Sequence, residues 1–130
     1  MYQAVTRDIR VSVKPVYLAD QSKPEEHKFV WAYHVEIGNE GGEVVRLRTR
    51  YWRITDATGR VHEVRGEGVV GEQPVLRPGE VFRYTSGTPL ATASGFMEGS
   101  YEMEGPGGAR FTVAIPAFSL DRPDEPRRLN

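Results

Sequence analysis

The sequence contains no cysteine, and this absence excludes several kinds of chemistry. Disulfides, thiolate metal sites and cysteine nucleophiles all need a thiol, so the chain cannot form any of them. The sequence also has no run of about 18 apolar residues, the length that a membrane-spanning helix needs, and its first residues lack the apolar core of a signal peptide. We therefore expect a cytoplasmic protein with no membrane partner.

An excess of charge of one sign is missing as well. The chain has 17 basic and 18 acidic side chains, which give a formal net charge of −1. Proteins that bind nucleic acid usually present a strongly basic surface, and single strands also need exposed aromatic rings between the basic residues. Trp52, which follows a basic run, is expected in the core. We therefore expect no nucleic-acid partner.

A helical repeat of apolar residues is the third absence, and strict alternation takes its place. Ile9, Val11 and Val13 alternate with polar residues, and the segment 29–37 continues this pattern. Glycines and prolines separate such segments. Short strands with turn residues between them are typical of antiparallel sandwiches and barrels, and strands with one apolar face favour two packed sheets. The predicted fold is an all-β antiparallel sandwich.

A chain of 130 residues has the size of a single domain. We assign residues 1–120 to the sandwich. Residues 121–130 contain two prolines and six charged side chains, a composition that predicts a flexible tail. The segments 82–86 and 111–115 are predicted edge strands, and 87–94 is a predicted loop. An open edge can accept a strand from another chain, so we expect either a monomer or a weak homodimer.

The apolar residues change parity within one predicted strand. Val45 and Leu47 occupy odd positions, whereas Trp52 and Ile54 occupy even ones. One extra residue near Arg50 would bring both pairs to the same core, which is the effect of a β-bulge. We predict a bulge at that point.

Gly66, Gly68 and Gly71 have the spacing of a dinucleotide-binding fingerprint. That site needs a helix directly after the glycines, because the helix N-terminus binds the pyrophosphate. Pro74 and Pro78 leave no room for such a helix, and no alternation of strands and helices surrounds the motif. A Rossmann site is therefore excluded, and we expect no bound cofactor.

Two interpretations of the three glycines remain. In the first, they let the backbone bend or pack closely between strands. In the second, the N–H groups of Gly66, Gly68 and Gly71 form a concave site for phosphate, pyrophosphate or a nucleotide, and Arg65 adds positive charge.

Several stretches of the sequence resemble the ApaG family. They are "FVWAYHVEIGNEG" at 29–41, "GEGVVGEQP" at 66–74, "LRPGE" at 76–80, "YTSG" at 84–87 and "GFMEGSYEM" at 95–103. The likeness extends from about residue 9 to residue 118. It implies a fibronectin type III-like β-sandwich, in agreement with the strand pattern.

The resemblance also implies a range of roles. Bacterial members are small stand-alone proteins whose name comes from a gene neighbourhood shared with a diadenosine tetraphosphate hydrolase, and another family name refers to cobalt and magnesium tolerance. Similar domains occur in eukaryotic F-box proteins and in a DNA polymerase-interacting protein, where binding is the implied role. The resemblance implies no catalytic residue.

Arg46, Arg48 and Arg50 form a basic run that simple alternation places on one face of a strand. One interpretation is a solvated face with acidic partners across the sheet, such as Glu36. The other is a docking patch for an acidic protein or a phosphate, because the planar guanidinium group binds carboxylate and phosphate with two hydrogen bonds.

The titratable and nucleophilic residues suggest no catalytic or metal site. His27, His34 and His62 lie in separate segments without metal-ligand spacing, and the serines lack the sequence context of a nucleophile. We therefore expect a non-catalytic binding module that contacts an unidentified protein through a sheet face or edge. The alternatives are a small-anion sensor that uses the loop 66–71 and a divalent-cation homeostasis factor.

Overall fold

Nine strands account for most of residues 1–122, which is the part of the chain that this computed structural model describes. Three short 3₁₀ helices, Ala19–Gln21, Pro24–Glu26 and Pro106–Gly108, lie in the connections. The strands are β1 (Tyr2–Thr6), β2 (Ile9–Tyr17), β3 (Phe29–Asn39), β4 (Val45–Asp56), β5 (Val61–Glu67), β6 (Val75–Leu76), β7 (Val81–Leu90), β8 (Ser94–Glu104) and β9 (Arg110–Asp121).

The strands form two antiparallel sheets packed face to face. The first sheet has the order β1-β2-β3-β7, and the second has the order β5-β4-β8-β9 with β6 beside β4. This arrangement confirms the all-β antiparallel sandwich. It also confirms both expected edges, because β7 ends the first sheet and β9 ends the second. Among the described residues, no helix has the length and apolar character needed to span a membrane.

The core lies between the inner faces of the sheets and follows the alternation seen in the sequence. The odd-numbered residues 9–13 and 29–37 are buried, as are Leu47, Trp52 and Phe118. Phe118 stands at the centre of an aromatic cluster, with its ring centroid 6.0 Å from that of Trp52. Because aromatic side chains bury large apolar areas, this cluster is a major source of stability.

The predicted bulge is present on β4, two residues before the expected position. Leu47 pairs with Met103 and Thr49 pairs with Glu102, so Arg48 is the extra residue. The bulge reverses the parity of the strand, and Trp52 therefore faces the same core as Leu47.

Three boundaries differ from the sequence predictions. β1 was not predicted, since it is mostly exposed and shows no apolar face. β7 continues to Leu90, where a loop was expected, and β9 continues through Asp121. The predicted flexible tail otherwise falls on 123–130, which lie outside the described residues.

The two sides of the sandwich differ in how they are closed. On one side β1 packs against β9, and the Ala114 N–H donates a hydrogen bond to the Thr6 hydroxyl at 3.2 Å. On the other side the edge strands are β5 and β7, which do not pair with each other. The interior is therefore accessible from that side.

Candidate functional site

A cleft of about 470 Å³ opens between β5 and β7. Its lining comes mainly from the inner faces of β4, β5 and β7. Apolar side chains form its middle part, and they are Trp52, Ile54, Val64 and Leu90. A cleft with an apolar middle and a few polar groups is the usual form of a binding site.

Polar groups occupy the two ends of this cleft. Arg50 lies at one end with the hydroxyl groups of Tyr33 and Ser86, which are opposite each other on β3 and β7. The other end, reached by following β4 from residue 50 to residue 56, contains Asp56, Arg60 and His62. The Asp56 Oδ1 atom already accepts hydrogen bonds from the Thr58 N–H and hydroxyl and from the Arg60 N–H, so its charge is partly compensated.

The main chain holds Arg50 in place. Its Nη1 group donates hydrogen bonds to the carbonyl oxygens of Glu67 and Gly68 at 3.1 and 2.9 Å. Its partner on β5 is Gly66, and a Cβ atom there would lie 2.7–2.9 Å from three guanidinium atoms. Because Gly66 has no side chain, it leaves the space that the Arg50 guanidinium group occupies.

The other two glycines of the motif form a tight turn. Gly68 has φ of +63°, and a Cβ atom there would lie 2.2 Å from the carbonyl oxygen of Glu72. Val69 and Glu72 exchange backbone hydrogen bonds around Val70 and Gly71, which both have positive φ. Positive φ at both central residues is the geometry of a type I′ turn. The motif thus joins extended chain to extended chain, as the exclusion of a Rossmann site requires.

The structure does not bring the predicted anion-binding residues together. The N–H groups of Gly68 and Val69 donate to the carbonyl oxygens of Arg48 and Glu72. Arg65 lies on the opposite face of β5 from Gly66, with its guanidinium carbon 4.3 Å from the centre of the Tyr51 ring. Of the three N–H groups that the anion site requires, the one of Gly68 is therefore occupied, and the guanidinium group of Arg65 points away from the loop.

The prediction that Arg46, Arg48 and Arg50 share one face is wrong. Arg48 is the bulged residue, and its side chain forms an ion pair with Glu104 at 3.3 Å. Arg46 stays exposed, whereas Arg50 pairs with the fully buried Tyr101 and turns inward. The cause is the bulge itself, because one extra residue moves every later side chain to the other face.

The suggested acidic partner of this arginine run, Glu36, lies in the other sheet. Its carboxylate accepts hydrogen bonds from Arg10 and Arg83, each at 2.8 Å. These hydrogen bonds hold the pKa of the Glu36 carboxyl below its usual range. Glu36 therefore organises the outer face of the first sheet.

Three tyrosine hydroxyls lie near Arg50 in the interior. The hydroxyls of Tyr84 and Tyr101 are hydrogen-bonded to each other. Burial raises the pKa of both groups, and it also raises the pKa of Tyr33, although a hydrogen bond with Ser86 opposes this. The folded protein thus keeps these phenols neutral at pH values where an unfolded chain would ionise them.

This difference predicts a loss of stability at alkaline pH. Because the folded pKa values exceed the unfolded value of about 10, the stabilisation is complete below pH 10 and is lost as the pH rises above it. Each such phenol contributes a slope of about 1.4 kcal/mol per pH unit. In the Y84F/Y101F double variant, urea unfolding between pH 10 and 11 should therefore show a slope smaller by about 2–3 kcal/mol per unit. An unchanged slope would contradict the burial of these hydroxyls.

The described residues contain no group of three histidine, aspartate or glutamate side chains arranged to hold a metal ion. His34 instead forms a hydrogen bond of 2.7 Å between its Nδ1 atom and the Thr85 hydroxyl, and His62 lines the cleft. The cleft end formed by Arg60 and His62 was not found from the sequence. The alternation of β5 places His62 on the same face as Val64, which was the one available signal.

Comparison with known proteins identifies close relatives over the whole chain. The ApaG domain family matches residues 19–105. The chain is 68% identical to Protein ApaG of Rhodospirillum centenum and 65% identical to Protein ApaG of Parvibaculum lavamentivorans, in both cases over 130 residues and the full length of each protein. A crystal structure of a Bordetella pertussis protein described as ApaA superposes with a TM-score of 0.88 at 48% identity, covering 91% of this chain and 96% of that one.

Proposed function

This chain belongs to the ApaG family, and from that premise we propose that it is a non-catalytic binding module whose partner is another protein. The observation that supports the proposal is the open side of the sandwich. The edge strands β5 and β7 each pair with only one neighbour, and they flank a cleft that leads to the interior. An accessible sheet edge beside a pocket for side chains is the arrangement by which many domains bind an extended peptide.

The edge of β7 is suited to strand addition. The Asn39 N–H donates to the Glu80 carbonyl, and the alternation of an antiparallel ladder then directs the even-numbered residues of β7 toward β3. The backbone groups of Thr85 and Gly87 consequently point to the free edge. Pro89 is also at a free-edge position, where the missing N–H disrupts no hydrogen bond to β3.

Site-specific photocrosslinking in living cells tests this proposal. Benzoylphenylalanine in place of His62 puts the reactive group at the cleft, and the same residue in place of Arg53 puts it on the outer face of the second sheet. We expect the His62 probe to give a covalent adduct of defined mass, which mass spectrometry identifies. An adduct of twice the chain mass would identify a second copy as the partner.

The Arg53 probe is the matched control, because Arg53 lies on the strand that pairs with β5 and directly opposite Glu63. Adducts that are equally abundant at the two positions, or that form only on the outer face, would contradict binding through the open side.

The two alternative functions have less structural support. An anion sensor in the loop 66–71 would need the Gly68 N–H, which now donates to the Arg48 carbonyl oxygen, and the charge of Arg65, which lies over the Tyr51 ring. A divalent-cation homeostasis factor would need a set of ligands, and the described part of the chain offers no cluster of three. Calorimetry with pyrophosphate and with Mg²⁺ or Co²⁺ separates these alternatives from the protein-binding function, which predicts no heat.

A further inference from the structure

Arg50 is a fixed positive group with unused hydrogen-bond donors. Its Nη1 group is satisfied by two carbonyl oxygens, and within the described residues its Nη2 and Nε groups have no hydrogen-bond partner. These atoms are not fully buried, and the side chain lines the cleft. An arginine that is anchored by one nitrogen loses little side-chain entropy when the remaining N–H groups bind a carboxylate.

The side chains of the cleft alternate along β4 with the period of an extended strand. Arg50, Trp52 and Ile54 follow one another on the inner face, and Val64 and His62 stand opposite the last two. At about 3.3 Å per residue, the distance along β4 from residue 50 to residue 54 is about 13 Å. An extended peptide running along β7 would direct every second side chain into the cleft with the same repeat.

The charge of the cleft favours an acidic ligand. Arg50 and Arg60 are positive, whereas Asp56 is the one acidic side chain among the described residues of the lining. The Asp56 Oδ1 atom is already used by three donors of its own turn. The apolar middle part of the cleft disfavours a small inorganic anion, which has no apolar group to place there.

We infer that the cleft binds an extended, acidic peptide segment of a partner protein. An aspartate or glutamate side chain of the segment binds the free N–H groups of Arg50. An apolar side chain two residues away packs against Trp52 and Val64. This inference rests on the proposed function and specifies its partner.

Selection of phage-displayed heptapeptides on the immobilised protein tests the inference. We expect the enriched peptides to contain Asp or Glu two positions from Val, Ile, Leu or Phe. In fluorescence polarisation, the best peptide should bind at least tenfold more tightly than the same peptide with the acid replaced by its amide. For the Arg50→Gln variant this difference should disappear, because the group that distinguishes the acid has been removed.

Two further variants separate binding from folding. Arg53→Gln removes the same charge three residues away on the outer face, and its acidic-peptide affinity should stay at the wild-type value. Gly66→Ala keeps the charge of Arg50 but fills the space that its guanidinium group occupies. Since that group is the end of a flexible side chain, the variant should fold and still lose most of the preference for the acid.

The possible failures are distinct. No enriched peptide, or enrichment without an acidic residue, overturns the inference. Equal affinity for the acid and the amide peptide also overturns it, and calorimetric heat with inorganic pyrophosphate that is lost in the Arg50→Gln variant would show a free-anion site instead. In each of these cases the photocrosslinking result still decides separately whether a protein binds at the open side.

Discussion

Replacing Gly68 by alanine is expected to destabilise the protein by about 2–5 kcal/mol. A residue with a Cβ atom loses about 1–2 kcal/mol in the left-handed region, where Gly68 has φ of +63°. The new atom would also lie 2.2 Å from the Glu72 carbonyl oxygen, and moving backbone out of the way adds about 1–3 kcal/mol. Urea unfolding followed by far-ultraviolet circular dichroism measures the difference.

Two other glycines provide matched controls for Gly68→Ala. Gly71 also has positive φ, but a Cβ atom there would have no neighbour within 4 Å, so Gly71→Ala should lose only about 1–2 kcal/mol. Gly42 has open space and no positive φ, and Gly42→Ala should stay within about 0.5 kcal/mol of the wild type. Equal stability of Gly68→Ala, Gly71→Ala and Gly42→Ala would contradict the close approach of Gly68 to the Glu72 carbonyl oxygen.

Replacing Phe118 by alanine should be similarly damaging, with an expected loss of about 3–5 kcal/mol. Phe118 is 2% exposed, and its ring lies within 6.3 Å of those of Tyr2, Tyr33 and Trp52. Truncation would leave a cavity that strands from both sheets enclose, and rigid sheets cannot collapse to fill it. The free energy of unfolding in urea gives the loss directly.

Phe96 is the control for Phe118, since both phenylalanines lie on the paired strands β8 and β9. Phe96 is 41% exposed, so Phe96→Ala removes little buried area and should lose less than about 1 kcal/mol. A Phe118→Ala protein as stable as Phe96→Ala would contradict the position of the aromatic cluster.

Strand alternation made most of the fold predictable. A half-buried strand displays its inner face in the sequence, so Ile9 and the odd-numbered residues 29–37 were assigned to the core correctly. β1 gave no such signal because most of its side chains are exposed. The end of β7 was not predicted because Gly87 and Pro89 suggested a loop. The strand accommodates both residues because β7 is an edge strand, where a missing N–H at a free-edge position disrupts no ladder hydrogen bond.

The site was less predictable, because it depends on pairing across strands. The position of the bulge decides whether Arg50 faces solvent or core, and the sequence placed the bulge near Arg50, two residues beyond its position in the structure. The cleft also lies between β7 and β5, which are edge strands of different sheets. No spacing within the sequence indicates that two such strands face each other across a cleft.

The fit between Gly66 and the Arg50 guanidinium group has an evolutionary consequence. A relative with a short side chain at position 50 no longer needs the empty space at position 66, and larger residues become tolerable there. Conversely, a relative that keeps the arginine in this position needs glycine at position 66, because a Cβ atom there would displace the guanidinium group. Substitutions at these two positions should therefore be inherited together, which would make the pair a marker for descendants in which the proposed peptide site has changed.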